Sequence, residues 1–151
     1  MGIVEEIIDA AKNILDGILT DYSRLDYEYE LGRNNERGID KKYGFISGAA
    51  TFAEGRAMGF TTMNHAFTLV MVDDFQDQDD ETALRSTLFK QYELIQNALK
   101  ELQKSKLALP TPANRVLLIS GLSFDEPELF DDNSIVVLRA NFIIQYQYRN
   151  N

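Results

Sequence analysis

The chain has 151 residues, 44% of them hydrophobic, and its 24 acidic and 15 basic residues give a formal charge of −9. This length and composition are typical of one globular domain, which we take as residues 1–151. No apolar stretch approaches the ~18 residues that cross a bilayer, and residues 1–6 lack the basic leader of a secretory signal. The absence of cysteine excludes disulfides and thiolate chemistry. The acidic balance disfavours stable binding of nucleic acid, which needs clustered Lys and Arg.

The first predicted element is an amphipathic helix over residues 3–19. Its apolar side chains recur every three or four positions, as on the buried face of a helix: Ile3, Ile7, Ala11, Ile14 and Ile18. Charged residues occupy the opposite face at the same spacing. One face of this helix is therefore expected to pack against another element.

Three strands are predicted next, because the period of the apolar residues changes from 3.6 to 2. Apolar and charged residues alternate over residues 24–31, and a polar, glycine-containing loop follows over 32–42. The second strand is predicted over 43–53 and the third over 62–72. Glycines within the second strand indicate bulges or the close approach of another backbone.

A long second helix is predicted after an acidic turn over residues 73–81, and it ends near residue 105. Its apolar stripe again steps by three or four: Leu84, Leu88, Tyr92, Ile95, Leu99 and Leu102. Acidic residues at its start and lysines near its end complement the helix dipole. Pro110 and Pro112 prevent the helix from resuming.

Two closing strands are predicted over residues 114–120 and 134–148, with an acidic loop over 121–133 between them. The last strand is about 15 residues long, so we expect it to extend beyond its own sheet or to pair with something beyond it. The element order is α-β-β-β-α-β-β. We therefore predict an α+β fold, with an antiparallel or mixed sheet of about five strands and two helices on one face.

No residue pattern predicts a reaction. His65 is the single histidine, but it lies within a strand pattern and no Gly-x-Ser-x-Gly elbow accompanies it, which favours a packed or surface strand histidine. The acids near residue 80 do not fit a calcium loop, because Thr82 stands where that loop requires Gly and Leu88 where it requires Glu. We therefore expect no enzymatic activity, no metal site and no cofactor.

Two segments supply candidate interface residues: Arg33, Arg37, Lys41, Lys42, Phe124, Leu129 and Phe130. The basic ones are interleaved with acids in the polar loop, which is either solvated or a polar contact between subunits. The apolar ones lie in the second acidic loop. They either pack back onto the sheet or dock on a partner, since exposed apolar patches mark interfaces.

The chain resembles the tail terminator (tail completion) proteins of long-tailed bacteriophages in element order, size and texture over nearly its whole length. Three segments carry the resemblance: IVEEIIDAAKNILDGIL, HAFTLVMVDDFQDQDDETALRSTLFKQYELIQNALKEL and the terminal SIVVLRANFIIQYQYRN. No functional residue is carried over from that family position by position.

The resemblance implies a virion protein, made in the host cytoplasm, that forms a homo-hexameric ring at the head-proximal end of the tail. Such a ring caps the tail tube, stops its growth and offers a surface to neck or connector proteins. DNA only passes through it, and no membrane is involved. Six copies carry a charge of about −54, and negative charge around a channel disfavours adhesion of DNA. The candidate lumen acids are Asp73, Asp74, Asp77, Asp79, Asp80, Asp125, Glu126, Asp131 and Asp132.

Three alternatives stand beside this expectation. A neck or head–tail connector protein differs from a terminator in position rather than in chemistry. A small α+β ligand-binding module would use a cavity between the long helix and the sheet, lined by Tyr27, Tyr29, Phe67 and Tyr92. A hydrolase would use His65 with nearby carboxylates.

Overall fold

The chain forms two helices and one sheet in the computed structural model, which describes residues 2–25, 41–53, 59–74, 81–105, 107–130 and 135–150. The helices are α1 (Ile3–Ile18) and α2 (Glu81–Ser105). The strands are β1 (Ser23–Arg24), β2 (Lys42–Phe52), β3 (Phe60–Asp74), β4 (Arg115–Phe124), β5 (Glu128–Phe130) and β6 (Ile135–Arg149). The predicted element order is confirmed, with β5 as one extra short strand.

The strands form one mixed sheet in the spatial order β1-β2-β3-β6-β4, and β5 also pairs with β6. Among the described residues, β1 runs parallel to β2 and all other pairings are antiparallel. The predicted α+β class with a mixed sheet is therefore confirmed. Strand β6 lies inside the sheet, with β3 on one side and β4 and β5 on the other.

Both helices pack on the same face of the sheet, which we call the covered face. The apolar stripes of α1 and α2 meet alternate residues of the strands in one core, which includes Ile7, Leu15, Phe45, Phe67, Ile95, Leu102, Leu138 and Phe142. Burial of each such side chain stabilises the fold by about 1.5–3 kcal/mol. On the opposite face, which we call the open face, the described residues form a small apolar cluster at one end, made of Leu25, Val70, Val72, Ile135 and Val137.

The prediction that the last strand extends beyond its own sheet is wrong. Strand β3 has the same length of 15 residues and pairs with β6 along its whole length, from Phe60 opposite Arg149 to Asp74 opposite Ile135. The polar and acidic residues at both ends of β3 concealed its length in the sequence. The backbone of β6 is therefore satisfied within the chain along β3, and the unpaired edges lie elsewhere.

Two other predicted boundaries change. The predicted loop over 121–133 contains the end of β4 and all of β5. Gly121 does not end β4, because it adopts a positive φ of 73° within a bulge between Ser120 and Ser123, a conformation that glycine takes without strain. The strand predicted over 24–31 begins in β1 at Ser23–Arg24, and its later residues lie outside the described part of the chain.

Asp16 joins the end of α1 to β1 and β2. Its carboxylate accepts hydrogen bonds from Arg24 Nε at 3.1 Å and from the Tyr43 hydroxyl at 2.5 Å. These two hydrogen bonds, with Arg24 as the larger contribution, hold the pKa of Asp16 below its ordinary value. Burial and the Asp16 contact raise the pKa of Tyr43, so this hydroxyl remains a donor at neutral pH.

Glu6 joins the first turns of α1 to the segment before β4. Its buried carboxylate accepts hydrogen bonds from the Thr111 backbone N–H at 2.8 Å and from Asn114 Nδ2 at 2.5 Å. Burial acts to raise the pKa of Glu6, but the hydrogen bonds outweigh it, and the pKa lies below its ordinary value of 4.5.

Glu6→Gln is expected to lower the free energy of unfolding at pH 7 by about 1–2 kcal/mol, because a neutral amide replaces the charged acceptor of two hydrogen bonds. A carboxyl with a depressed folded pKa stabilises fully above its unfolded pKa near 4.5 and loses that contribution as the pH falls through the folded pKa. The difference between variant and wild type is therefore expected to shrink in acid. Urea unfolding at pH 7 and pH 3 measures it, with the exposed Glu5→Gln as control. A Glu6→Gln chain as stable as wild type at pH 7 would contradict this role.

Candidate assembly surface

The open face carries a ladder of uncharged polar side chains across β3 and β6. Its members are Thr62, Asn64 and Thr68 on β3, and Asn141, Gln145 and Gln147 on β6. Side chains alternate along β6, so its three ladder members share the open face while their neighbours Phe142, Ile144 and Tyr146 enter the covered core.

These side chains bond to one another across the strands. Gln147 Nε2 donates to Thr62 Oγ1 at 3.3 Å, and Gln145 Nε2 donates to Asn64 Oδ1 at 3.1 Å. Thr68 Oγ1 donates to Asn141 Oδ1 at 2.8 Å. Neither helix covers this face, and these hydrogen bonds hold the uncharged side chains of the ladder in a fixed orientation.

One edge of the sheet is formed by β2. Among the described residues, β1 pairs with β2 at Lys42 and Tyr43 alone, and residues 47–52 of β2 are all exposed. The segment from Tyr43 to Phe52 carries no charge, and the side chain of Phe52 is 62% exposed. Exposed edges are usually protected by charge or proline. Here the only such device in the described residues is a bulge between Ser47 and Ala50.

The other edge is formed by β4 and β5. Among the described residues, β4 pairs only with β6, and it carries no charge after Arg115. Leu117 and Leu118 are 46% and 55% exposed, next to a bulge between Val116 and Leu118. The edge position leaves about half of each of these two residues in solvent.

The predicted interface residues divide between the two edges. Lys41 and Lys42 lie at the start of β2, and Leu129 lies in β5 with 42% of its side chain exposed. Phe124 packs back onto the fold, with its ring edge-on to Tyr92 at 4.8 Å between centroids. Phe130 is placed in β5 by its backbone, and Arg33 and Arg37 lie outside the described residues.

The predicted lumen acids lie in different parts of the chain. Asp125 and Glu126 are exposed in the connection from β4 to β5, and Asp125 accepts a hydrogen bond from Asn141 at 2.8 Å. Asp74 ends β3. Those outside the described residues are Asp77, Asp79, Asp80, Asp131 and Asp132.

The Asp73 carboxylate is in the interior and does not face a channel in this structure. It is only 4% exposed and accepts hydrogen bonds from the Tyr22 hydroxyl at 2.7 Å and from Gln91 Nε2 at 2.6 Å, with Lys41 Nζ at 3.9 Å. Burial first, and then the hydrogen bond to Asp73, raise the pKa of Tyr22. The sequence predicted that Asp73 begins an acidic turn. In the structure β3 continues through it, and alternation along the strand places its side chain on the covered face, under the first turns of α2, where it is buried.

His65 lies in β3, as its strand pattern predicted, and of the two predicted positions, packed or at the surface, the structure shows the packed one. It is 6% exposed, its Nδ1 lies 2.9 Å from the Tyr146 hydroxyl, and its ring stacks on Phe67 at 4.6 Å between centroids. Burial lowers the pKa of His65, so the ring is neutral at pH 7. These aromatic surroundings are typical of a packed histidine.

The residues considered for a ligand cavity belong to the core. Phe67 is fully buried between Phe45 and Phe142, and Tyr92 packs on Phe124, whereas Tyr27 and Tyr29 lie outside the described residues. A groove of about 430 Å³ lies instead on the outer side of α2, beside Phe89, Arg85 and Lys90. Phe89, 64% exposed, was not predicted, although its position outside the apolar stripe of α2 indicates it.

Three further observations concern metal ligands, membrane-spanning helices and known relatives. Within the described ranges, no group of three or more His, Asp or Glu side chains is arranged to hold a metal ion. No described helix combines the length and apolarity that crossing a bilayer requires. No protein-family model and no curated protein matches the chain.

Proposed function

We propose that this chain is a virion assembly protein of a long-tailed bacteriophage. In this proposal it is a tail terminator, which forms a ring on the tail tube, stops tube growth and provides the surface for joining the head. The observation that carries the proposal is the one-sided architecture: helices cover one face of the sheet, while among the described residues the polar ladder of the other face and the uncharged edge segments 47–52 and 116–124 are left open.

The two open edges support a ring because they differ from each other. A contact between unlike surfaces is heterologous, so each copy joined to a neighbour still presents a free edge of the opposite kind. Repetition of such a contact by a fixed rotation closes a ring. Pairing between subunits also satisfies edges that otherwise invite aggregation.

The dimensions also agree with a channel. If six copies, as the resemblance implies, contribute four long strands each, the closed sheet measures about 115 Å around and ~37 Å across at ~4.8 Å per strand. Strand tilt widens it further. With the helices outside, the amide and hydroxyl ladder of the open face lines the channel. The uncharged groups of the ladder do not bind phosphates, and Arg139 on the same face is paired with Glu128, which agrees with passage of DNA without adhesion.

The proposal is tested by deleting the gene for this chain from the phage that encodes it. We expect tails that exceed normal length and carry no heads, because nothing stops tube growth, and a plasmid copy of the gene is expected to restore normal particles. Electron microscopy measures both outcomes. Tails of normal length that lack heads would indicate a neck or connector protein instead. Normal tails joined to heads would contradict both functions.

A further inference from the structure

We propose that two copies of this chain join head to tail through their sheet edges, the β4–β5 edge of one copy against the β2 edge of the next. In this contact the acidic segment, residues 125–128, meets the basic corner, formed by Arg24, Lys41 and Lys42. The inference rests on the proposed ring and specifies the contact that builds it.

The register of the sheet places the opposite charges at the same height. Lys42 pairs with Val72, Val72 with Val137, and Val137 with Glu128, so Lys42 and Glu128 occupy one row across the sheet. Both side chains lie on the open face, because Val72 and Val137 belong to the cluster on that face. Strand β1 covers the outer side of β2 at this row, with Ser23 opposite Lys42, so a second copy continues the sheet along residues 47–52 and its acidic segment abuts β1 at the basic corner.

The rest of the two edges matches along the same rows. Phe52 pairs with Met63, Met63 with Tyr146, and Tyr146 with Val116. The uncharged part of β2 therefore spans the same height as the uncharged part of β4. Exposed apolar side chains, Phe52 on one edge and Leu117 on the other, lie near the same end. Apolar surface thus faces apolar surface, at the end away from the charges.

Strand direction allows the pairing. Successive neighbours β2, β3, β6 and β4 are antiparallel, so β4 runs opposite to β2. A second copy related by rotation about an axis along the strands presents its β2 antiparallel to β4, and the alternation continues across the boundary. A symmetric contact of β4 with β4 would reverse the second copy and would place the acidic segment away from the basic corner. The charges therefore favour the head-to-tail arrangement.

Glu126 and Lys42 are the two charges best suited to a test. Asp125 already binds Asn141, Glu128 pairs with Arg139, and Arg24 pairs with Asp16. Glu126 is exposed, and no residue of the described chain forms an ion pair with Glu126 or Lys42. Substitution of either leaves the hydrogen bonds of the fold intact.

Cross-linking tests the geometry, because the chain contains no cysteine and the only thiols are those introduced. Purified Lys42→Cys and Glu126→Cys chains are mixed and treated with a short bismaleimide. We expect cross-linked dimers in the mixture that join residue 42 to residue 126, identified by mass spectrometry, and at least about tenfold fewer dimers from either variant alone. Dimers that form as readily from Glu126→Cys alone would overturn the head-to-tail contact.

Charge reversal tests the electrostatics. Lys42→Glu and Glu126→Lys are each expected to weaken self-association in sedimentation by at least about tenfold, because like charges then face each other. The double variant carries the swapped pair and is expected to return within about threefold of wild type. Glu101→Lys, an equal charge change on the exposed side of α2, is the matched control and is expected to have no effect.

The outcomes separate this inference from the proposed function. A wild-type chain that stays monomeric at every concentration, or a double variant no better than the single ones, would overturn the edge contact. Neither result changes the tail-length experiment, which decides the proposed function by itself.

Discussion

Ile144→Pro is expected to leave no folded protein. Ile144 is fully buried in the interior strand β6, where it pairs with His65 on β3 and Ile119 on β4. Proline has no backbone N–H to donate. Because an interior strand is hydrogen-bonded to neighbouring strands on both sides, the substitution breaks a hydrogen bond of the sheet. The substitution also deletes a core side chain. We expect a loss above about 4–5 kcal/mol, most of the 5–15 kcal/mol that stabilises a typical domain.

Two further substitutions at the same position separate the backbone effect from the cavity. Ile144→Val is expected to cost about 0.5–1.5 kcal/mol and Ile144→Ala about 2–5 kcal/mol. Both are expected to give folded chains by circular dichroism, with lowered urea midpoints. An Ile144→Pro chain with wild-type circular dichroism and a wild-type midpoint would contradict the central position of this strand.

Asp73→Ala is expected to have the second largest effect, a loss of about 2–4 kcal/mol in the free energy of unfolding, since it leaves buried donors unsatisfied. The Tyr22 hydroxyl and Gln91 Nε2 both donate to this carboxylate, and Tyr22 and Gln91 are themselves buried. These contacts connect the segment before β1, the end of β3 and the first turns of α2. Their loss is expected to loosen all three.

Urea unfolding measures this effect, with Asp125→Ala as the control, because Asp125 is an exposed acid with one hydrogen bond to a side chain. The control is expected to stay within about 0.5 kcal/mol of wild type. Tyr22→Phe is expected to cost about 1 kcal/mol, since it removes one hydroxyl donor and keeps the ring. Equal stability of Asp73→Ala and Asp125→Ala would show that the Asp73 contacts contribute nothing.

The sequence alone predicts the helices and most strands, because periodicity is a local property. Helical spacing in residues 3–19, and after the acidic turn to about residue 105, identified both helices, and alternation in the last strand separated the residues of its two faces. The same local information predicted a strand position for His65, without deciding between the interior and the surface. It failed where neighbours in space determine the structure. Nothing near Phe60 or Asp74 indicates that β3 matches β6 residue for residue, and Gly121 has the appearance of a strand end, although a bulge carries β4 past it.

The candidate assembly surface depends still more on tertiary structure. Periodicity and element order determined that the chain is an α+β domain with two helices and a sheet, since each helix and strand shows its own period. Only the pairing of the strands decided which of them became edges, buried Asp73 beneath α2, and set Lys42 and Glu128 in one row. Register arises from hydrogen bonds between segments far apart in the chain, and no short stretch of sequence contains that information.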